Sequence, residues 1–217
     1  MKIAYQGIPG SYSESCAKSN YPDCQTISCK TFDECFEIAN KDNNIKTIIP
    51  ESNKTTGNIG VEFLIFKYRL NIYAEHFFPI KHNLLGLKGS SINDIKDVYS
   101  HAQALSQSSE FIKANNLNEN VRADTAGSAK YISETKDKTK GAIASDLSAK
   151  IYNLEVIKSN IQDEKNNVTR FLIMGKEINQ PELKQEKYIT SFLFKLKDKP
   201  AALYSALSGF ALNAVNL

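Results

Sequence analysis

Short apolar runs of strand length alternate with capped amphipathic segments along most of this chain, and that alternation constrains its fold most. Lys2–Gln6 reads as a strand, and Ser11 or Ser13 caps the helix after the Gly7-Ile8-Pro9-Gly10 turn. Thr31-Phe32-Asp33-Glu34 has the form of a capping box, in which a Thr hydroxyl and a Glu three residues on satisfy helix amides reciprocally. Phe32, Cys35, Phe36 and Ala39 then make an apolar helical face. Thr47–Ile49 reads as a short strand closed by Pro50, Asn58–Leu70 as a helix, and Ile72–Phe78 as a strand leaving a first lobe. Strands at Lys81–Leu87 and Val98–Ser100, a helix over His101–Asn115 and a strand at Asn120–Ala123 follow. Next come a helix over Thr125–Glu134, a strand at Gly141–Ala144, a helix from Ser145, and strands at Leu154–Ser159 and Val168–Met174.

Such an order predicts α/β architecture with largely parallel sheets. Crossings near Phe78-Pro79-Ile80 and Leu154–Asn160 divide a body of residues 1–175 into two lobes, about 1–78 plus 160–175 and about 79–159. A bilobal body of this kind binds its ligand in the cleft, where strands end and helices begin. Residues 176–187 are polar and charged, carry Pro181, and read as a linker. Tyr188–Leu196 then reads as a strand, Pro200–Leu212 as a helix with Pro200 in its first turn, and Ala214–Leu217 as the start of another strand. A strand-helix-strand start of 30 residues cannot bury its own faces, so 188–217 reads as a second domain cut short.

Composition excludes some partners. Lys+Arg of 27 against Asp+Glu of 24 leaves +3, too mild and too evenly spread for a nucleic-acid surface. No run approaches the roughly 20 apolar residues of a membrane helix, so no membrane partner is expected. The chain opens Met1-Lys2-Ile3-Ala4-Tyr5 straight into a strand, and the expected place is the cytoplasm. Cys16, Cys24, Cys29 and Cys35 are separated by seven, four and five residues, with no CxxC pair and no nearby His. They read as thiols packed as small hydrophobes, and no metal is expected. His76, His82 and His101 have no GxSxG elbow beside them. His82 reads as a packed structural histidine, and His101, at a helix start after Ser100, as the one lining a cleft.

The densest polar signal is Asn160-Ile161-Gln162-Asp163 followed by Asn167-Val168-Thr169-Arg170-Phe171-Leu172. It sets a hydroxyl and a guanidinium side by side at the mouth of an apolar strand, where a small anion could be held and protonated. This segment resembles the prephenate dehydratase signature, NIQD-x-x-x-N-x-TRF-L. Further pieces follow in the family's order. Gln6-Gly7-Ile8-Pro9-Gly10-Ser11-Tyr12-Ser13-Glu14 is similar to QG-x-x-GAYSE, with Ser11 for Ala. Glu75–Leu85 is similar to E-x-x-LPI-x-HNLL, and Ser100–Gln107 to SHPQALxQ, with Ala102 for Pro. Asp124-Thr125-Ala126 resembles STA, and Ala142–Ser145 resembles AIAS.

The resemblance implies a two-lobed, periplasmic-binding-protein-like α/β body with a cleft, then the start of an α+β, ferredoxin-like ACT domain. It implies a cofactor-free conversion of prephenate to phenylpyruvate, with loss of carbon dioxide and water, in phenylalanine biosynthesis. Arogenate dehydratase and a catalytically silent solute-binding protein are the alternatives. Thr169 takes the role of proton donor to the leaving hydroxyl, and Arg170 that of a partner for a substrate carboxylate, unless it points to the strand's other face. Phe171 helps pack the wall. Ser11, Tyr12, Ser13, Ser52, Asn53, Ser100, His101, Thr125 and Ala126 are the remaining substrate-binding candidates. One departure matters: the family's PIENS-x-x-G aligns with Pro50–Gly57, so that Ser52 stands for its Glu and Lys54 for its Ser. Either Glu51 substitutes through a local backbone shift, or the site is altered. The segment 190–217 resembles an opening ACT domain, with Ala201 where Gly is usual. It implies L-phenylalanine as an effector near Ala201, Ala202 and Leu203, and a homodimer or homotetramer if the domain is complete. Feedback by phenylalanine is expected to be weak without that domain's second half.

Overall fold

The computed structural model describes residues 1–178, 190 and 193–215. The chain separates into two units, Met1–Pro181 and Glu182–Leu217. The first unit runs β1 (Lys2–Gln6), α1 (Tyr12–Asn20), β2 (Gln25–Cys29), α2 (Phe32–Lys41), β3 (Ile45–Asn53), β4 (Gly57–Asn58), α3 (Glu62–Tyr68) and β5 (Asn71–Pro79). It continues with β6 (Asn83–Gly86), β7 (Asp97–Ser100), α4 (Ala102–Ser106), α5 (Ser109–Ala114), β8 (Asn118–Val121) and α6 (Thr125–Thr135). Then come β9 (Lys140–Ala144), α7 (Asp146–Ile151), β10 (Glu155–Lys158) and β11 (Val168–Gly175).

Two sheets result. The first has the order β2-β1-β3-β11-β5, with β4 on β3, and the second the order β10-β6-β9-β7-β8. The expectation of largely parallel sheets needs correction, because β3, β11 and β5 pair antiparallel, as do β10, β6 and β9. The chain passes directly from β5 into β6 and from β10 back to β11, so no helical crossover forces those strands parallel. Parallel pairing is kept where helices intervene, at β2-β1-β3 and β9-β7-β8.

Strands covered on both faces read as continuous apolar runs. Ile3, Tyr5, Ile48, Phe171 and Ile173 of the first sheet pack on the α1 side with Cys16 and Ala17. Ala4, Ile49, Leu172 and Met174 face the other layer, with Phe36, Ala39 and Leu64. Period-2 alternation thus puts Thr169 on the face of Phe171 and Arg170 on the face of Leu172. The second sheet likewise divides Leu84, Val98 and Ile143 from Leu85, Ala142 and Ala144. The cysteines are free, and burial pushes the Cys16 thiol up to about 12.

Several boundaries differ from expectation. Ser11 caps α1 by accepting from the Glu14 N–H at 3.3 Å, and Thr31 caps α2 by accepting from the Glu34 N–H at 3.1 Å. The Glu34 carboxylate closes its box one residue early, on the Lys30 N–H at 2.7 Å. Pro50 does not end its strand. It lies past Ile48, the last β3 residue paired with β1, and at a register shift against β11, an irregular position where a missing N–H is tolerated. The helix expected from Asn58 begins only at Glu62, because Asn58 pairs with Ser52 and Gly60 turns the chain at φ +80°. The helix expected over His101–Asn115 is two helices. The Asp163 carboxylate accepts from the N–H groups of Ser109 and Glu110 at 3.0 and 3.2 Å, starting α5 afresh.

In the second unit, α8 (Ala202–Leu212) is the helix expected from Pro200. Its N-cap is Ala201, at φ +60°, so Pro200 precedes the helix instead of opening it. The left-handed conformation costs a residue with a Cβ roughly 1–2 kcal/mol, a cost that Gly would avoid. Residues 188, 189, 191 and 192 of the strand expected at Tyr188–Leu196, and the end of that expected at Ala214–Leu217, lie outside the described residues. Leu193–Leu196 and Ala214–Val215, which are described, form no strand.

Candidate active site

A cavity of about 400 Å³ opens between the two sheets of the first unit. The first sheet contributes Gln6 and Gly7 after β1, Pro50 and Asn53 of β3, and Thr169 and Phe171 of β11. Ser11, Tyr12 and Ser13 come from the start of α1, and His101, Gln103 and Gln107 from α4 and its caps. Asp124 and Thr125 come from the start of α6, with Asp124 as its N-cap.

One hydrogen-bond chain runs through the wall of this cavity, and backbone amides set its direction. Asn53 Oδ1 accepts from the N–H groups of Thr55 and Thr56 at 3.0 and 3.2 Å. Its Nδ2 therefore faces inward, donating to Asn167 Oδ1 and to Thr169 Oγ1, each at 2.8 Å. Asn167 passes the polarity on, donating to Gln107 Oε1 at 3.0 Å, while Gln107 Nε2 donates to Thr55 Oγ1 at 2.8 Å. Gln107 Oε1 also lies 2.9 Å from His82 Nε2, so that nitrogen carries the proton, and Nδ1, 2.7 Å from the Tyr12 hydroxyl, shares that hydroxyl's hydrogen with the Lys81 carbonyl at 3.0 Å. Asn53, Asn167, His82 and Thr169 are all buried, the last only 6% exposed. Burial lowers the His82 pKa against the opposing Gln107 contact, which favours the same neutral ring. Burial, seconded by Asp146, drives the Tyr12 phenol far up and keeps it a donor.

Thr169 is the end of that chain. Its oxygen already accepts from Asn53, and its own hydrogen meets no acceptor among the described residues. A hydroxyl has one hydrogen to donate. Here that hydrogen is left to the cavity.

Ser11, Tyr12, Ser13, Asn53, His101, Thr125, Thr169 and Phe171 all line the cavity, as expected. Four expected residues do not. Arg170 projects from the opposite face of β11, where its Nε and one terminal nitrogen bond Glu75 at 2.8 and 2.7 Å and the other lies 3.4 Å from Glu51. Ser52 is Arg170's partner across the sheet and faces away with it. Ser100 is fully buried at the end of β7, its hydroxyl donating to the Ile143 carbonyl at 2.6 Å. Ala126 is fully buried inside the first turn of α6. The register shift between Arg170 and Phe171 lets Glu51, not Ser52, bring a carboxylate to Arg170, on the face away from the cavity.

His82 proves to be a wall residue as well as a packed one. Gln103, Gln107, Asn167 and Asp124 lie inside the matched motifs but were not among the expected site residues. Gln103 and Gln107 sit four apart on one helical face, and Asn167 stands two before Thr169 on one face of a strand, signals that periodicity carries. The Asn160-Ile161-Gln162-Asp163 run holds the chain crossing together. Gln162 accepts from the His82 N–H at 3.0 Å, and the Ile161 N–H donates to the His82 carbonyl at 2.9 Å. Among the described residues no group of three or more His, Cys, Asp or Glu is placed to hold a metal, and no helix is long and apolar enough to cross a membrane.

Fold and site together define a two-sheet α/β protein with a hydroxyl- and amide-lined ligand cleft between the sheets. Residues 3–179 match the family model described as prephenate dehydratase. The chain belongs to the prephenate dehydratase family. Over its whole length it is 38% identical to "Arogenate dehydratase 2" of Petunia hybrida and 38% identical to "Arogenate dehydratase/prephenate dehydratase 1, chloroplastic" of Arabidopsis thaliana, and it spans 55% of each. The crystal structure of a prephenate dehydratase from Arthrobacter aurescens, in complex with L-Phe, has the same fold. The TM-score is 0.85 at 23% identity, over all of this chain and 74% of that one.

Proposed function

We propose that the cavity carries out the decarboxylative dehydration of prephenate to phenylpyruvate, with Thr169 as proton donor. The observation that carries this reading is the Asn53–Thr169 bond, which occupies the hydroxyl oxygen and leaves the O–H for a ligand. Loss of the ring carboxylate as carbon dioxide supplies an electron pair to the ring. That pair expels the ring hydroxyl, which takes the proton from Thr169 and leaves as water. Aromatisation drives the step, and the resulting alkoxide is reprotonated from solvent. No cofactor is called for. A threonine hydroxyl is a weak acid, so donation relies on positioning in a largely dry cleft, which the burial of Thr169 and the aromatic wall of Phe171 support. Ser11, Ser13, His101 and Thr125 are the groups placed to bind the substrate's polar ends.

The domain reading follows the same resemblance: a catalytic body over 1–175, a linker over 176–187, and the opening of an ACT domain over 188–217. Phenylalanine would act near Ala201, Ala202 and Leu203, in a homodimer or homotetramer if that domain is complete. The test of the catalytic reading is phenylpyruvate formation from prephenate, run beside Thr169→Val. Product formed at equal rates by both proteins, or by neither, rejects it.

A further inference from the structure

Four side chains beside Thr169 close into a ring of hydrogen bonds that all run one way. Asn53 Nδ2 donates to Asn167 Oδ1 at 2.8 Å, Asn167 Nδ2 to Gln107 Oε1 at 3.0 Å, and Gln107 Nε2 to Thr55 Oγ1 at 2.8 Å. The Thr55 hydroxyl then donates back to Asn53 Oδ1 at 2.5 Å. The direction is fixed at two points. Asn53 Oδ1 is held as acceptor by the Thr55 and Thr56 N–H groups, and Gln107 Oε1 by the His82 Nε2–H. A hydroxyl has one hydrogen, and since Gln107 already donates to Thr55, that hydrogen goes to Asn53. The Thr56 hydroxyl, 3.3 Å from the same Asn53 oxygen and accepting from Gln103 at 2.9 Å, is a longer parallel link. Hydrogen bonds aligned head to tail polarise one another, so removing one weakens the rest.

We propose that Thr55 is a positioning residue for Thr169, an inference that rests on the dehydratase reading above. Asn53 Nδ2 has two hydrogens; the ring takes one, and the Thr169 oxygen receives the other at 2.8 Å. A closed ring keeps that second hydrogen on Thr169, and so keeps the O–H of Thr169 free for the cavity. Thr55 is exposed and lies outside the cavity lining, whereas its neighbour Thr56 is part of it. It therefore acts through Asn53 and Gln107, not on the substrate. The motif resemblance assigns Thr55 no role, since it falls on an open position of the PIENS-x-x-G pattern. Gln107 reaches it from the C-terminal end of α4, so the ring also ties the turn after β3 to the second-sheet wall.

The experiment is kcat and KM for prephenate on the unaltered chain, on Thr55→Val, Thr55→Ser and Thr169→Val, and on the double variant. Thr55→Val keeps the branched shape and the backbone bond to Asn53 but removes the hydroxyl. It should lower kcat by about tenfold, the scale of one hydrogen bond, and leave KM nearly unmoved. Thr55→Ser, which retains the hydroxyl, should restore most of kcat. On the Thr169→Val background, Thr55→Val should cost nothing further, because residues that act through one another are not additive. Thr55→Ala also lacks the hydroxyl and should match Thr55→Val, which guards against valine crowding the turn. An unchanged kcat in both, a loss confined to KM, or an equal loss in Thr55→Ser overturns the inference and leaves the dehydratase reading standing. So does the same fold-loss with and without the Thr169 hydroxyl. No turnover of prephenate by the unaltered chain rejects both.

Discussion

The cavity's two walls are organised differently. On the first-sheet wall, Asn53, Asn167 and Thr169 are buried, and backbone amides dictate the direction of every amide in their chain. On the second-sheet wall, His101 and Gln103 stand exposed at the start of α4, and Asp124 and Thr125 are half-buried at the start of α6. Gln107, fastened to Thr55, joins one to the other. The difference teaches a division of labour. On the proposed reading, proton donation would depend on one hydroxyl held by neighbours that cannot turn, whereas recognition would rest on groups that stay hydrated until a ligand arrives.

The sharpest way to break this contrast is Thr169→Val, which keeps the β-branched shape and removes the donor. It should lower kcat by roughly 10²–10⁴-fold with little change in melting temperature. A variant with unaltered kcat would show that the buried wall does not do the chemistry. Asn53→Ala should do less to the rate but more to the fold. It strands the Thr55 and Thr56 amides and the Asn167 carbonyl, at about 1–3 kcal/mol, read as a lower melting temperature together with a fall in kcat.

Acid should weaken the His82 side of the same wall. Burial depresses the His82 pKa, so below the ordinary histidine value near 6.5 the unfolded chain binds a proton that the folded one refuses. Stability is therefore full above that value and declines as pH falls from 7 towards 5. His76, likewise lowered by burial, contributes in the same direction. His82→Gln should flatten, without abolishing, that decline in thermal melts. An equally steep decline in the variant would mean that His82 is not its source. The smallest effect is expected from Ser52→Glu. Its side chain lies across the sheet from the cavity, beside Arg170 and Glu51, so kcat/KM should move by less than about threefold. A tenfold change in either direction would mean that this face reaches the site after all.

Local structure was legible wherever its cause is local. Ser11, Thr31 and Ser145 cap the helices their sequence context predicts, because a cap needs only a hydroxyl within three residues of a free amide. The apolar runs marked β1, β3 and β11 because burial on both faces selects such runs directly. The misread segments have distant causes. α4 and α5 separate because Asp163, 54 residues beyond Ser109, captures the amides there. β3 continues through Pro50 because β11, far along the chain, still pairs with it.

The site divides in the same way. Sequence alone determined the polar-to-apolar junction at Thr169, its strand, and the helix starts that surround the cavity, since residue type and spacing carry them. Only the tertiary structure decided which side chains face inward. It turned Thr169 to the cavity and Arg170 to Glu51 and Glu75, buried Ser100 and Ala126, and brought Gln107 to Asn167 and His82. The physical reason is that a side chain's facing depends on which layer covers each side of its sheet. The membership of the hydrogen-bond chain likewise joins partners more than 100 residues apart, and no spacing rule within one segment contains either.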